Sequence, residues 1–326
     1  SRAPLRISFA GGGSDLPAFY RHEPGAVVST AINKYIYLTV NRKFDRQIRA
    51  SYSITEMVDH VADLQHELIR EALTLLQLHG GIEITSISDV PSRGTGLGSS
   101  STYTVALLHA LYAFTGRHVG ADRLAQDTCT IELERCGKPI GKQDQYIAAY
   151  GGLQFIQFHP DDSVCVDPII CAAHTKRRLQ ERLLMLYTGV TRAADGVLAE
   201  QSANTAQDAA TRRQLRRLTE LAGALRVALN RDDLDGFGEI LHEGWVRKRE
   251  LASGITTGAI DEVYAIARRY GAMGGKLLGA GGGGFVLLYA PVERHEAIVA
   301  ALPELRPMPF RFEPQGSKII YVEDNE

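Results

Sequence analysis

Two acidic positions stand out for the chemistry they could do. In IELERCGKPIGKQDQ (131–145), Glu132 and Glu134 fall in the closing turns of a helical pattern, where the negative end of the helix dipole disfavours carboxylates. A cation is welcome there, either a metal or the neighbouring Arg135. Asp144 follows in a loop with Gly137, Gly141 and the amide side chains of Gln143 and Gln145, with Lys142 two positions earlier to help keep it ionised. A carboxylate so placed can serve as a general base, orient a hydroxyl nucleophile or close an Asx-turn.

Three glycine-rich loops accompany these carboxylates. PSRGTGLGSSS (91–101) lies between the strand-like IEITSIS and a helical run, so its last residues open a helix. Free N–H groups and the positive dipole end meet there, and Gly94, Gly96 and Gly98 let the backbone approach an anion closely. The stretch is suited to phosphate, although a serine N-cap on a tight turn is the simpler alternative. No Lys precedes the serines, which argues against a Walker-type loop, and the G-x-G-x-G spacing is not that of a dinucleotide fingerprint. GAGGGGF (279–285) matches G-x-G-x-x-G literally but runs from helix to strand, the reverse of the dinucleotide context. So many glycines imply a close backbone approach to a ligand or to another domain, or else a flexible turn. AGGGSD (10–15) ends in Asp15, with Arg6 upstream; alone it is ordinary turn chemistry.

The elements that must position these residues can be read coarsely. Strand patterns occupy 35–44, 81–88 and 153–159. Val61, Leu64, Leu68, Ala72 and Leu75 recur at helical spacing until Gly80 and Gly81; further helices are expected over 102–114 and 122–136. RLLMLYTG (182–189) reads as a buried strand, and helical Ala/Leu/Arg-rich sequence follows to about 270. Strands and helices mix without regular βαβ alternation, so the fold class is α+β, with domains expected at 1–178 and 179–326.

Composition narrows the function further. With 36 basic and 38 acidic residues among 326, the formal charge of −2 gives no footprint for nucleic acid or an anionic membrane, and a small-molecule partner is expected. Neither a membrane span nor a secretory signal is evident, so a cytoplasmic location is expected. Four cysteines without a C-x-x-C pair read as reduced, and ten scattered histidines give no zinc motif.

Taken in chain order, 10–15, 91–101 and 279–285, with GKQDQYIAAYGG (141–152) between the second and the last, the three loops resemble the GHMP kinases, the small-molecule kinases that include galactokinase, homoserine kinase and mevalonate kinase. The motif P-x-x-x-x-G-L-G-S-S-S (91–101) carries most of that resemblance. Within the superfamily, PLRISFAGGGSDLP, GKQDQYIAAYGG and YTGVTRAA are most similar to the sugar-1-kinases that act on D-glycero-D-manno-heptose 7-phosphate. Fucokinases and other sugar-1-kinases share much of the pattern.

The resemblance implies an N-terminal mixed sheet with helices, a C-terminal ferredoxin-like sandwich and an active site at their interface. It implies ATP and Mg²⁺ as cofactors. Gly94, Thr95, Gly96, Leu97, Gly98, Ser99, Ser100 and Ser101 would wrap the ATP phosphates, Ser100 and Glu132 would hold Mg²⁺, and Asp144 with Arg6 would be catalytic. Gly13, Ser14 and Asp15 would meet the sugar, with Gly281 and Gly282 supporting the site from the second domain. If the sugar already carries a phosphate, Lys142, Arg192 and Arg21 are its candidate anchors.

Overall fold

The computed structural model describes residues 1–91, 94–191 and 194–323. Its first half is a seven-stranded mixed sheet: β1 (Arg2–Ala10), β2 (Gly25–Arg42), β3 (Ile48–Ser51), β4 (Thr55–Val58), β5 (Ile82–Ser88), β6 (Leu153–Phe158) and β7 (Val164–Pro168). The order is β4-β3-β5-β2-β6-β7, with β1 antiparallel to β2; only β3 and β5 run parallel. β2, 18 residues long, bonds to three neighbours and is the backbone of the sheet.

Helices α1 (Pro17–Tyr20), α2 (Glu67–Leu76), α3 (Ser99–Phe114), α4 (Ala121–Cys129) and α5 (Gln143–Tyr150) complete this half. The second half holds α6 (Ala173–Arg182), the four-stranded antiparallel sheet and its helices. That sheet runs β11-β8-β10-β9, from β8 (Leu183–Tyr187), β9 (Gly274–Leu277), β10 (Phe285–Tyr289) and β11 (Arg306–Pro307). It is accompanied by α7 (Asp195–Gln207), α8 (Ala209–Asn230), α9 (Leu234–Lys248), α10 (Gly258–Arg269) and α11 (His295–Ala301).

The two halves share a core. Ala222, Leu225 and Leu229 of α8 and Phe237 of α9 belong to the same buried cluster as Phe9 and Val28 of the first sheet. The chain also returns: Phe312 bridges Ile32 and Lys318 bridges Arg2, so the C-terminal segment lies along β2 and β1.

Several elements differ from the sequence reading, each for a local reason. Val61 sits in a separate 3₁₀ turn (Val61–Asp63); α2 starts after His66, whose ring nitrogen accepts the Ile69 N–H, and ends at a left-handed Gln77 before the glycines are reached. α3 starts at Ser99, three residues earlier than expected, and is buried on nearly every side, so its periodicity is blurred. The segment expected as one helix over 122–136 is α4 followed by a π-helical turn, Thr130–Arg135, closed by Gly137 at φ +61°. Asp144 lies in the first turn of α5, not in a loop.

Candidate active site

A cleft of about 1030 Å³ is lined from both halves of the molecule, by all three glycine loops together with Arg6 and Asp144. Arg6 is fixed by β1, where its N–H donates to the carbonyl of Leu97 at 3.1 Å and its side chain is almost wholly buried. Its guanidinium grips Asp144 with both arms of the fork, Nε to Oδ1 and Nη2 to Oδ2, each at 2.7 Å. The remaining nitrogen, Nη1, donates to the carbonyl of Gly96 at 2.5 Å. One side chain thus ties the carboxylate to the 94–101 loop. Lys142, expected beside Asp144, is engaged elsewhere: its ammonium bonds to the Asp162 carboxylate at 2.9 Å and lies over the Tyr20 ring.

The loop itself is shaped by its glycines. Gly94, Gly96 and Gly98 all have positive φ, and Gly98 is the left-handed N-cap of α3. A Cβ on Gly96 would overlap the carbonyl of Leu278, one on Gly279 would overlap the Gly96 backbone, and one on Gly284 would overlap the Thr95 carbonyl. The third loop's glycines therefore answer the question their number raised: they let the 279–284 backbone lie against the 94–98 backbone. Of the residues expected at phosphate, Gly94, Thr95, Gly96, Gly98, Ser99, Ser100 and Ser101 line the cleft. Leu97 is the exception, its side chain buried in the hydrophobic core.

Glu132 is fully buried, turned inward by the π-helical turn, whereas Glu134 faces out. Its carboxylate accepts from Ser101 Oγ at 2.7 Å, Thr104 Oγ1 at 2.9 Å and Gln145 Nε2 at 2.7 Å. Burial pushes its carboxyl up to about 7, against the pull of those three donors. Ser100, expected beside it, is exposed and makes no bond to it; Ser101 takes that place. The surroundings suit a hard cation. Gln145 Oε1, next to the carboxylate, is a buried acceptor without a donor among the described residues, and a divalent ion bound chiefly by nucleotide phosphates and water needs only one or two protein oxygens. No group of three His, Cys, Asp or Glu side chains gathers into a metal cage among the described residues.

The N-terminal loop divides by role. Asp15 is buried at the cleft wall, accepting from Gly13 N at 2.9 Å and Gln143 N at 3.3 Å. Burial raises its carboxyl above the ordinary value. Gly13 lines the cleft beside it. Ser14 does not: its hydroxyl is spent inside the loop, donating to Gly11 and Ala26 carbonyls and accepting the Ala26 N–H at 3.1 Å. Gly281 lines the cleft; Gly282 is buried behind it, its N–H on the Ile255 carbonyl. Arg21 pairs with Asp162 near the surface. Arg192 lies outside the described residues.

Sequence reasoning missed the cleft residues that come from the second half. Lys248 ends α9, Lys276 sits in β9 and Gln201 in α7; all three are buried and line the cleft. Their only sequence signal is a polar residue on an inward helical or strand position, which an Arg-rich helical region hides. Tyr52, His66 and Tyr103, whose rings contact one another in series, line the cleft alongside α3.

Residues 60–152 match the GHMP kinases N terminal domain and residues 225–305 the GHMP kinases C terminal domain, together just over half of the chain. The chain is 28% identical over 319 residues, 93% of each protein, to a D-glycero-alpha-D-manno-heptose 7-phosphate kinase of Campylobacter jejuni. It is 27% identical over 311 residues to a bifunctional fucokinase/GDP-fucose pyrophosphorylase of Arabidopsis thaliana, covering 88% of this chain but only 29% of that protein. A crystal structure of a D-glycero-D-manno-heptose 1-phosphate kinase from Bacteroides thetaiotaomicron superposes with a TM-score of 0.80 at 26% identity, over 98% of this chain and 99% of that one. With the α+β architecture, the paired glycine loops and matches in both halves, the chain belongs to the GHMP kinases and is an ATP-dependent kinase.

Proposed function

We propose that this kinase transfers the γ-phosphoryl group of ATP to the anomeric hydroxyl of a sugar, with D-glycero-D-manno-heptose 7-phosphate the favoured acceptor and the 1,7-bisphosphate the product. The single observation that carries the reading is the Arg6 fork, which holds Asp144 beside the phosphate loop while the cleft lined from both halves opens on the same carboxylate. The heptose preference is supported by the full-length similarity to a heptose 7-phosphate kinase.

The 94–101 backbone cradles the nucleotide phosphates at the start of α3, and the Tyr52, His66 and Tyr103 rings give the adenine an aromatic wall. Ser100, exposed on the cleft, and Glu132, buried behind Ser101, would hold the Mg²⁺ that accompanies ATP, and the ion would supply neutralising charge to the phosphates. Asp15 accepts hydrogen bonds from sugar hydroxyls. Asp144 accepts the hydrogen bond of the anomeric hydroxyl and aims its oxygen at the γ-phosphorus. As that O–P bond forms, the bond from the γ-phosphorus to the β-bridging oxygen breaks, the hydroxyl proton passes to Asp144, and ADP leaves. Arg6 keeps the carboxylate in register with the loop and stabilises charge on the transferring group.

Steady-state assay of Asp144→Asn against a panel of sugars and sugar phosphates tests this. The variant keeps the Arg6 contact at one oxygen but cannot take a proton, so kcat should fall by about 10²- to 10⁴-fold with nucleotide affinity retained. Unchanged ADP release would remove Asp144 from the mechanism. Robust turnover of fucose or galactose, with none of heptose 7-phosphate, would move the assignment to a free-sugar kinase.

A further inference from the structure

The cleft wall beside the N-terminal loop gathers two buried lysines that no carboxylate pairs among the described residues, and burial holds both amines below the ordinary lysine value, Lys276 well below it. Arg6 is neutralised by Asp144. Lys248 and Lys276 are each at least nine-tenths buried, and neither has a carboxylate within ion-pair distance among the described residues. Each ammonium spends one N–H on a carbonyl: Lys248 on Gly279 at 3.0 Å, Lys276 on Phe9 at 3.2 Å. Asp15 is the carboxylate left to offset both, and it is already engaged by two backbone N–H groups.

Neutral donors converge on the same place. The position a Cβ would take on Gly12 lies 3.2 Å from Lys248 Nζ, 3.7 Å from Ser8 Oγ and 3.8 Å from Gln143 Nε2. On the adjoining Gly13 a Cβ would collide with Gln201 Nε2. Ser8 Oγ and Gln201 Nε2 are both buried without a hydrogen-bond partner among the described residues, and both residues line the cleft. Burying a cation unpaired, or a donor unsatisfied, costs free energy that a ligand can return. Two lysine amines that a bound anion would keep protonated, and two idle donors, around a pair of glycines without side chains match a multi-oxygen anion better than a neutral hydroxyl.

We infer that Lys248, Lys276, Ser8 and Gln201 form a subsite for a phosphate ester that the acceptor sugar already carries, so that these residues set the preference for a sugar phosphate over the free sugar. The proposal rests on the sugar-kinase function above. The same donors could instead serve the phosphoryl group in transit from ATP. Their placement favours the acceptor: Lys276 is tied to Phe9 at the end of β1, and Lys248, which also bonds Gly279, borders Gly12 and Gly13 of the N-terminal loop together with Ser8 and Gln201.

The test compares heptose 7-phosphate with the free heptose as acceptors for the wild type, Lys248→Met, Lys276→Met and Gln201→Ala. Methionine keeps most of the side-chain volume and removes a buried amine, and Gln201→Ala removes an amide nitrogen without a partner among the described residues, so folding should survive; unaltered Mg·ATP binding checks it. Each lysine variant should raise KM for the sugar phosphate about 10- to 100-fold, with KM for ATP and turnover of the free heptose nearly unchanged. Gln201→Ala should do the same more weakly. Equal losses on both acceptors, or no change in KM for the sugar phosphate, would overturn the subsite. A rise in KM for ATP or a fall in kcat alone would reassign the lysines to the transferred phosphoryl group. If the wild type phosphorylates neither acceptor while turning over another alcohol, the sugar-kinase function fails, a result distinct from an active wild type whose variants do not discriminate.

Discussion

At the scale of single residues, the site is an exercise in what burial does to charge. Glu132 is sealed inside the π-helical turn, and its carboxyl is pushed up to about 7, so the folded protein holds a proton that the unfolded chain has already released above about 4.5. Between those values the folded state binds more protons, and stability therefore falls as pH rises through that window, by on the order of 3 kcal/mol in all. Glu132→Gln should abolish this contribution: thermal melts from pH 4.5 to 7 should show the variant gaining on the wild type as pH rises, whatever its level at the start. A constant difference across the window would contradict the placement of Glu132. Part of this arrangement was legible in the sequence: Arg6, Asp15 and Asp144, singled out there, line the cleft, as do the glycines of the 94–98 loop, while Glu132 is buried behind Ser101. The partners were not: Lys142 and Asp144 are neighbours in sequence, yet α5 turns one toward Asp162 and the other toward Arg6, a choice made by three-dimensional packing.

At the scale of elements, two glycine loops from opposite halves are pressed backbone to backbone. Helix-to-strand order excluded a dinucleotide fingerprint for 279–284 but could not say what the glycines approach, because contact between chain segments nearly two hundred residues apart leaves no local pattern. Gly96→Ala should read that contact directly. It imposes a side chain at φ +78° and drives it into the Leu278 carbonyl, whereas Gly116→Ala imposes a similar φ of +71° with nothing within 4 Å. Gly116→Ala should cost about 1 kcal/mol of backbone strain, and Gly96→Ala at least about 2 kcal/mol, with KM for ATP raised roughly tenfold. Equal costs in chemical denaturation would mean that the loops do not bear on each other. The π-helical turn was hidden for a related reason: its sequence reads as helix, and the extra residue that swings Glu132 inward changes hydrogen bonding without changing composition.

At the scale of the whole molecule, the two sheets, the shared core around Phe9 and Phe237, and the returning C-terminal segment make a cleft whose walls come from both halves. The α+β class followed from strands and helices mixing without βαβ order. The cleft's second-half lysines did not follow, since Lys248 is the last residue of α9, next to Arg247, and Lys276 sits in a four-residue strand, and neither context hints at burial. No helix among the described residues is long and apolar enough to cross a membrane. The proposed function makes one chemical claim, that phosphate moves from ATP to the anomeric oxygen of a sugar. Phosphorus NMR of the wild-type reaction with Mg·ATP and heptose 7-phosphate tests it most directly. The account predicts a new phosphate resonance split by the anomeric proton, growing in step with ADP. ADP formed with inorganic phosphate alone, or a new phosphate resonance without coupling to that proton, would contradict it.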